Sequence, residues 1–533
     1  MTVVLDGESL TPAAVVRIAR ENTPVSITDD ASDRVRRSRE RVEDVLDRGE
    51  AVYGINTGFG ELVDVRIPPS QLETLQVNLL RSHVAGTGRR LSPAETRAMM
   101  VARINALLAG YSGVREVIVD RLVELLNERV HPVVHVQGSL GASGDLAPLA
   151  EMALVLIGEG SAIVDDEMGG TVELPGADAL GRVGIEPVTL KPKEGLALIN
   201  GTQLTTALGV LAAVDAHRLV RTADLMGAMT TEMTLGTTAT ADPAIHHTRP
   251  FPGQQASAAT IRLVTAGSDI VEAHRNCDRV QDPYSLRCMP QVHGAARDAL
   301  DHLRQALRIE LNSATDNPLV FPAETVDDRA SGTDRGAVIS GGNFHGTPLA
   351  VRLEYLRIAL VELGNIAERR IDLLLNPNRQ EPHLPPFLAA NSGLESGYMI
   401  AQYAAAAVLN DLRSTGVAAV DNTPVSGGQE DHVSNSAQVA VNIRRTADQL
   451  EWILATEYVC AAAAREYIEQ AFETDNCLQP GIGTALAYDR IRMVVDPLDG
   501  DRPVREDVAA AKRVIGDPGL LEAVDQAVDG ELP

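Results

Sequence analysis

Six apolar residues, Leu349, Leu353, Leu356, Leu360, Leu363 and Ala367, recur at spacings of four, three, four, three and four. Only an α-helix puts positions with that spacing on one stripe, and so long a stripe has to be covered by other helices. Asn376-Pro377 ends the pattern, because the residue before a proline disfavours helical geometry. Composition predicts a second long helix from Ser436 to about Glu469, and most of the chain from residue 202 onward reads as helix. Earlier, Ser92-Pro93-Ala94-Glu95 is a capping box with proline at the first helical position. It predicts a helix with Met100, Ile104 and Leu107 on one face, interrupted at Gly110 and Gly113. Ala51 to Ile55 reads as a short strand. The expected fold is mainly α: an N-terminal domain over 1–201, a long helical bundle over 202–478, and an appendage over 479–533 rich in Asp, Pro and Gly.

Charge narrows the partners. The 73 acidic residues outnumber the 47 basic ones and leave a net charge of −26. Such a surface repels phosphate backbones and anionic membranes, so neither nucleic acid nor a membrane is an expected partner. The only lysines are Lys191, Lys193 and Lys512, and aromatic residues make up 3%. This acid-rich, lysine-poor composition suits a protein that stays soluble in high salt, where ions screen carboxylate repulsion. The four cysteines, Cys277, Cys288, Cys460 and Cys477, form no C-x-x-C pair, and His246-His247 has no partner at metal-ligand spacing. No disulfide framework or metal site is expected. The N-terminus lacks a basic, then apolar, leader and no apolar run is long enough to span a bilayer, so a cytoplasmic protein is expected.

The segment Gly138-Ser139-Leu140-Gly141-Ala142-Ser143-Gly144-Asp145-Leu146-Ala147-Pro148-Leu149 carries the chemistry. It is no phosphate loop, because no Gly-Lys-Ser/Thr follows. It reads either as a flexible loop before a helix capped by Asp145, or as a segment that cyclises on its own backbone. In a sharp bend the Gly144 amide nitrogen can attack the Ala142 carbonyl carbon, which requires small residues at both ends. Loss of water from the ring, and of another from the Ser143 side chain, leaves an exocyclic methylene, a strong electrophile. A helix N-terminus just beyond it adds positive potential.

This segment resembles the signature of the histidine/phenylalanine ammonia-lyases, in which Ala-Ser-Gly becomes 4-methylideneimidazol-5-one (MIO). Other motifs similar to that family follow in order: Tyr53-Gly54-Ile55-Asn56-Thr57-Gly58-Phe59-Gly60, Asn200-Gly201-Thr202-Gln203, Gln281-Asp282-Pro283-Tyr284-Ser285-Leu286-Arg287-Cys288, Gly342-Asn343-Phe344-His345-Gly346 and Gln429-Glu430-Asp431-His432. The resemblance implies that Ala142, Ser143 and Gly144 form MIO with no external cofactor. Tyr53 would be the base, perturbed from a pKa of about 10. Arg287 would hold the substrate carboxylate through two parallel donors. Asn200, Gln281 and Tyr284 would surround the ring, Asn200 polarising its oxygen, and Phe344 would pack against it. Ser82-His83 is like the histidine-specific members, where phenylalanine-specific ones carry Phe-Leu. Glu430, beside Gln429, likewise matches the histidine form, and an imidazole needs such polar partners.

The resemblance therefore implies elimination of ammonia from L-histidine to give trans-urocanate, the entry step of histidine degradation to glutamate. It also implies a homotetramer with active sites built from several subunits. The rival readings are an aromatic amino acid ammonia-lyase or 2,3-aminomutase using the same group, and a non-catalytic helical scaffold with an uncyclised Ser143.

Overall fold

A computed structural model describes residues 2–48, 52, 54–57, 66–166, 168–275, 279–327, 331–332, 336–472, 477–528 and 530–533. The chain divides into two compact units of interleaved segments. The first comprises Met1–Ala212, Leu303–Glu354 and Val417–Arg444; the second comprises Ala213–His302, Tyr355–Gly416 and Arg445–Pro533. These units do not coincide with the consecutive division at 201/202 and 478/479. Four of the boundaries fall inside long helices, Gln203–Met233, Met289–Glu310, Thr347–Leu375 and Ser436–Ala464.

The leucine stripe lies in the Thr347–Leu375 helix, and all six of its residues are buried. Within the second unit, a Cβ added at Gly364 would touch Ile453, Leu409 and Leu450, so its neighbours there are the Met399–Ser414 and Ser436–Ala464 helices. Within the first unit, Gly209 meets Leu353 and Leu307 in the same way. Each leucine taken fully out of water contributes about 1.5–3 kcal/mol. The Ser436 helix ends as α-helix at Ala464, and Arg465–Phe472 continues as tighter 3₁₀ turns.

Among the described residues, the first unit adds four small sheets, including Thr87–Arg90 against His135–Gln137 and Leu319–Pro322 against Gly336–Ile339. The predicted capping box is present: Ser92 and Glu95 bond reciprocally at the start of the Pro93–Leu108 helix. That helix is not amphipathic in place, because every residue from Glu95 to Leu108 is buried. The strand expected over Ala51 to Ile55 does not form where it is described: Gly54 to Asn56 is a turn, with Gly54 at φ 74°. Glycine suits that angle, and a Cβ there would strike Pro318 and Leu196.

The second unit holds a buried polar chain. Arg370 donates to both carboxylate oxygens of Glu457, and its Nη1 lies 3.2 Å from His293 Nε2. Because Nε2 faces a guanidinium, which can only donate, the proton of His293 sits on Nδ1 and goes to Asp224 Oδ1 at 2.7 Å. Arg297 donates to the other Asp224 oxygen at 2.6 Å. Burial opposes ionisation of Asp224, but Arg297 and His293 outweigh it and hold the carboxyl at about 2.

Candidate active site

A cavity of about 970 Å³ in the first unit is lined by Ala142, Ser143, Asn200, His83, Phe344, Gln429 and Glu430, among others. Residues as far apart in the sequence as Leu79 and His432 thus meet around the Ala142-Ser143-Gly144 segment.

The segment is sharply bent. Gly141 and Gly144 have φ of 69° and 74°, in the left-handed region where a side chain is strained. A Cβ on Gly144 would also lie 2.3 Å from the Gly201 oxygen, so no larger residue fits. Gly201 O accepts the Asp145 amide at 2.6 Å, which joins the bend to the Asn200-Gly201 turn. Gly141 O accepts from Gly346 N and from Ser434 Oγ, both at 3.0 Å, and Leu140 O accepts Asn435 N at 2.7 Å. Three distant loops therefore clamp one bend. The Leu146–Leu156 helix starts immediately beyond it, so its amide-rich end adjoins the segment.

Asn200 ends the Glu194–Ile199 helix in extended geometry and donates its Nδ2 to the Ser143 carbonyl at 2.7 Å. Behind it, fully buried Arg103 donates to Asn200 O at 2.9 Å and Gln203 Oε1 at 2.8 Å. Burial pulls the Arg103 pKa down to about 10, which leaves it a cation at neutral pH. Asp145 is also buried, and it does not cap its own helix. Its carboxylate accepts Thr205 N at 2.8 Å, in the first turn of the Gln203–Met233 helix, and lies 3.0 Å from Ser139 Oγ. Burial raises its pKa to about 6, although these hydrogen bonds oppose the shift.

His83 terminates the Leu72–His83 helix and places Nδ1 2.8 Å from the Leu79 carbonyl. A carbonyl only accepts, so Nδ1 carries a proton, and in the neutral ring Nε2 keeps a lone pair on a cavity-lining side chain. Glu430 Oε1 accepts the Ser143 hydroxyl at 2.7 Å.

Other expected site residues lie elsewhere. Gln281, Tyr284 and Arg287 belong to the second unit and do not line this cavity. Gln281 and Tyr284 are exposed, Tyr284 by 70%, and the Arg287 guanidinium stacks 4.6 Å from the Tyr284 ring centroid. Tyr53 lies outside the described residues. Residues given no role from the sequence also line the cavity. His345 and His432 stack with centroids 5.5 Å apart, and His345 Nε2 lies 3.2 Å from His432 O. Both sit inside motifs visible in the sequence, whereas Arg103 gave no signal.

Compared with known proteins, residues 10–493 match the aromatic amino acid lyase family. The chain belongs to that family. It is 57% identical, over 99% of both chains, to a probable histidine ammonia-lyase of Halobacterium salinarum. Among solved structures, a histidine ammonia-lyase from Trypanosoma cruzi is 36% identical with a TM-score of 0.87, covering 99% of this chain and 96% of that one. A tyrosine aminomutase from Streptomyces globisporus, also 36% identical, superposes with a TM-score of 0.90 over the whole of both chains. Lyases and aminomutases thus share the helical architecture of this family member.

The bend suits the family's ring. Gly144 and Gly201 leave room for close backbone approach, and the Asn200 amide already sits on the carbonyl that would become the ring oxygen.

Proposed function

We propose that this aromatic amino acid lyase removes ammonia from L-histidine to give trans-urocanate, using an MIO group made from Ala142, Ser143 and Gly144. The observation that carries this is the Asn200 amide held 2.7 Å from the Ser143 carbonyl in a bend that excludes larger residues. When formed, the group supplies an electrophilic methylene that turns the substrate amine into a better leaving group.

The chain's own residues supply the rest. Asn200 stabilises negative charge on the Ser143 oxygen, and buried Arg103 behind it adds positive potential. His83 Nε2 offers an acceptor to an imidazole N–H, and Glu430 offers a carboxylate to an imidazole N–H or to the ammonium. Phe344 walls the site. Arg287 binds the substrate carboxylate in two parallel bonds, Tyr53 takes the β-proton, and Gln281 and Tyr284 complete the polar lining. Gln281 and Tyr284 are exposed on the second unit, which supports their delivery to the cavity of another copy in a homotetramer. Among the described residues no helix is long and apolar enough to cross a membrane.

The test is Ser143→Ala. Turnover of L-histidine is abolished while the oligomer, followed by size-exclusion chromatography, is retained. Substantial remaining turnover contradicts the assignment.

A further inference from the structure

The reading above gives Glu430 a place beside the substrate, yet its observed partner is the chain itself: the Ser143 hydroxyl, at 2.7 Å. The loop that brings it there is tightly fixed. Val425 N donates to Glu430 O at 3.1 Å, across a turn in which Ser426 and Gly427 have φ of 55° and 66°. Asn422 accepts Val433 N at 2.9 Å and donates to Asp431 O at 3.0 Å. Ser434 and Asn435 then bond directly to Gly141 and Leu140. The loop bearing the carboxylate is thus braced internally and tied to the loop bearing the serine a few residues from the contact.

We infer that Glu430 is also a catalytic residue of the chain's own maturation, acting as the acid that expels the Ser143 hydroxyl. This rests on the cyclised reading of Ala142-Ser143-Gly144. Ring closure bonds Gly144 N to the Ala142 carbonyl carbon. The Ala142 oxygen leaves as water with the protons of Gly144 N and Ser143 N. A second water must then come from Ser143. Its Cα–H bond breaks, that electron pair forms the Cα=Cβ double bond, and the Cβ–Oγ bond breaks. Hydroxide is a poor leaving group, so Oγ needs a proton as it departs. Glu430 takes up the Cα proton and delivers it to Oγ, which leaves as water. The carboxylate ends as it began, and no oxidant, metal or second substrate is required.

The test follows mass during maturation rather than activity. Wild-type chain and the variants Glu430→Gln and Glu430→Ala are made by cell-free synthesis in high salt and quenched at intervals. The proteolytic fragment containing residues 142–144 is weighed, and folding is checked by circular dichroism. Wild-type fragment loses the mass of two waters. Both variants reach that mass about 10²–10⁴-fold more slowly, the range for loss of a general acid, and fragment short of one water accumulates. Formate at fixed pH and ionic strength speeds Glu430→Ala in proportion to its concentration and leaves the wild type unchanged. Such rescue separates a missing acid from a disturbed fold. Maturation of either variant at the wild-type rate, or a slow Glu430→Ala indifferent to formate, overturns the inference alone. A wild-type fragment of full mass overturns the cyclised reading and the inference with it.

Discussion

Asn200 is fixed at both ends: its carbonyl accepts from Arg103, and its side-chain amide serves the Ser143 carbonyl. A donor preset toward developing charge costs no reorganisation during reaction, and removing one such donor typically lowers turnover about 10²–10³-fold. Asn200→Ala is therefore expected to reduce kcat by that factor with little change in KM, measured by steady-state kinetics on chain that has completed maturation. A rise in KM at constant kcat would place Asn200 in ground-state binding instead. The residues that meet here were legible in the sequence through motifs, since Ser143 and Glu430 are far apart in the chain and no periodicity links them. Arg103 was not legible. It lies in a helix whose spacing puts Met100, Ile104 and Leu107 on the apolar face and assigns other positions to solvent, but the helix is buried on all sides. Its guanidinium is accommodated by Asn200 O and Gln203 Oε1, partners that only the fold supplies.

The helices and turns show which local signals survive packing. Ser92 caps its helix as the sequence implies, and Thr11 likewise accepts from Ala14 N at the start of the Pro12–Arg20 helix, because a cap involves only neighbouring residues. Asp145 does not, since its carboxylate is drawn to Thr205 by the arrival of a second helix. Buried titratable groups on such elements also govern acid stability. His131, at the start of the short His131–Pro132 strand, is pushed down to about 4 by burial and by the nearby Arg97 and Arg129 cations. The unfolded imidazole titrates near 6.5, so the unfolded chain binds the proton first as pH falls. The His131 contribution is intact above about 6.5 and is lost progressively down to about 4, up to about 3 kcal/mol. Denaturant unfolding against pH is expected to show that loss, and His131→Phe to flatten it over the same window. An unchanged slope in the variant would remove His131 as its source.

For the whole molecule, charge and assembly are the informative quantities. With a net charge of −26, self-repulsion is large in dilute buffer. Of the lysines, Lys193 is fully buried against Ser112 O, so only Lys191 and Lys512 can offer an ammonium to solvent. The melting temperature is expected to rise as potassium chloride goes from about 0.1 M, where the Debye length is about 10 Å, to above 1 M, where it is about 3 Å; a flat profile would refute a screening requirement. Assembly is testable by complementation. Ser143→Ala lacks the electrophile and Arg287→Ala lacks the carboxylate clamp, and each alone is expected to be inactive. Unfolded and refolded together, they regain activity if Arg287 serves the cavity of another copy, and stay inactive if each chain uses its own. The mainly helical fold was readable from one leucine stripe. The interleaving of the two units was not, because composition along the chain does not report which segments return to one another.

Absorbance of the purified protein in high salt, with L-histidine, L-phenylalanine and L-tyrosine in parallel, tests the central claim most directly. A lone pair on His83 Nε2 and a carboxylate at Glu430, both at the cavity wall, predict that the urocanate band grows with histidine and that neither aromatic acid gives its unsaturated product. Turnover of phenylalanine or tyrosine, or silence toward histidine from protein whose 142–144 fragment has lost both waters, would contradict it.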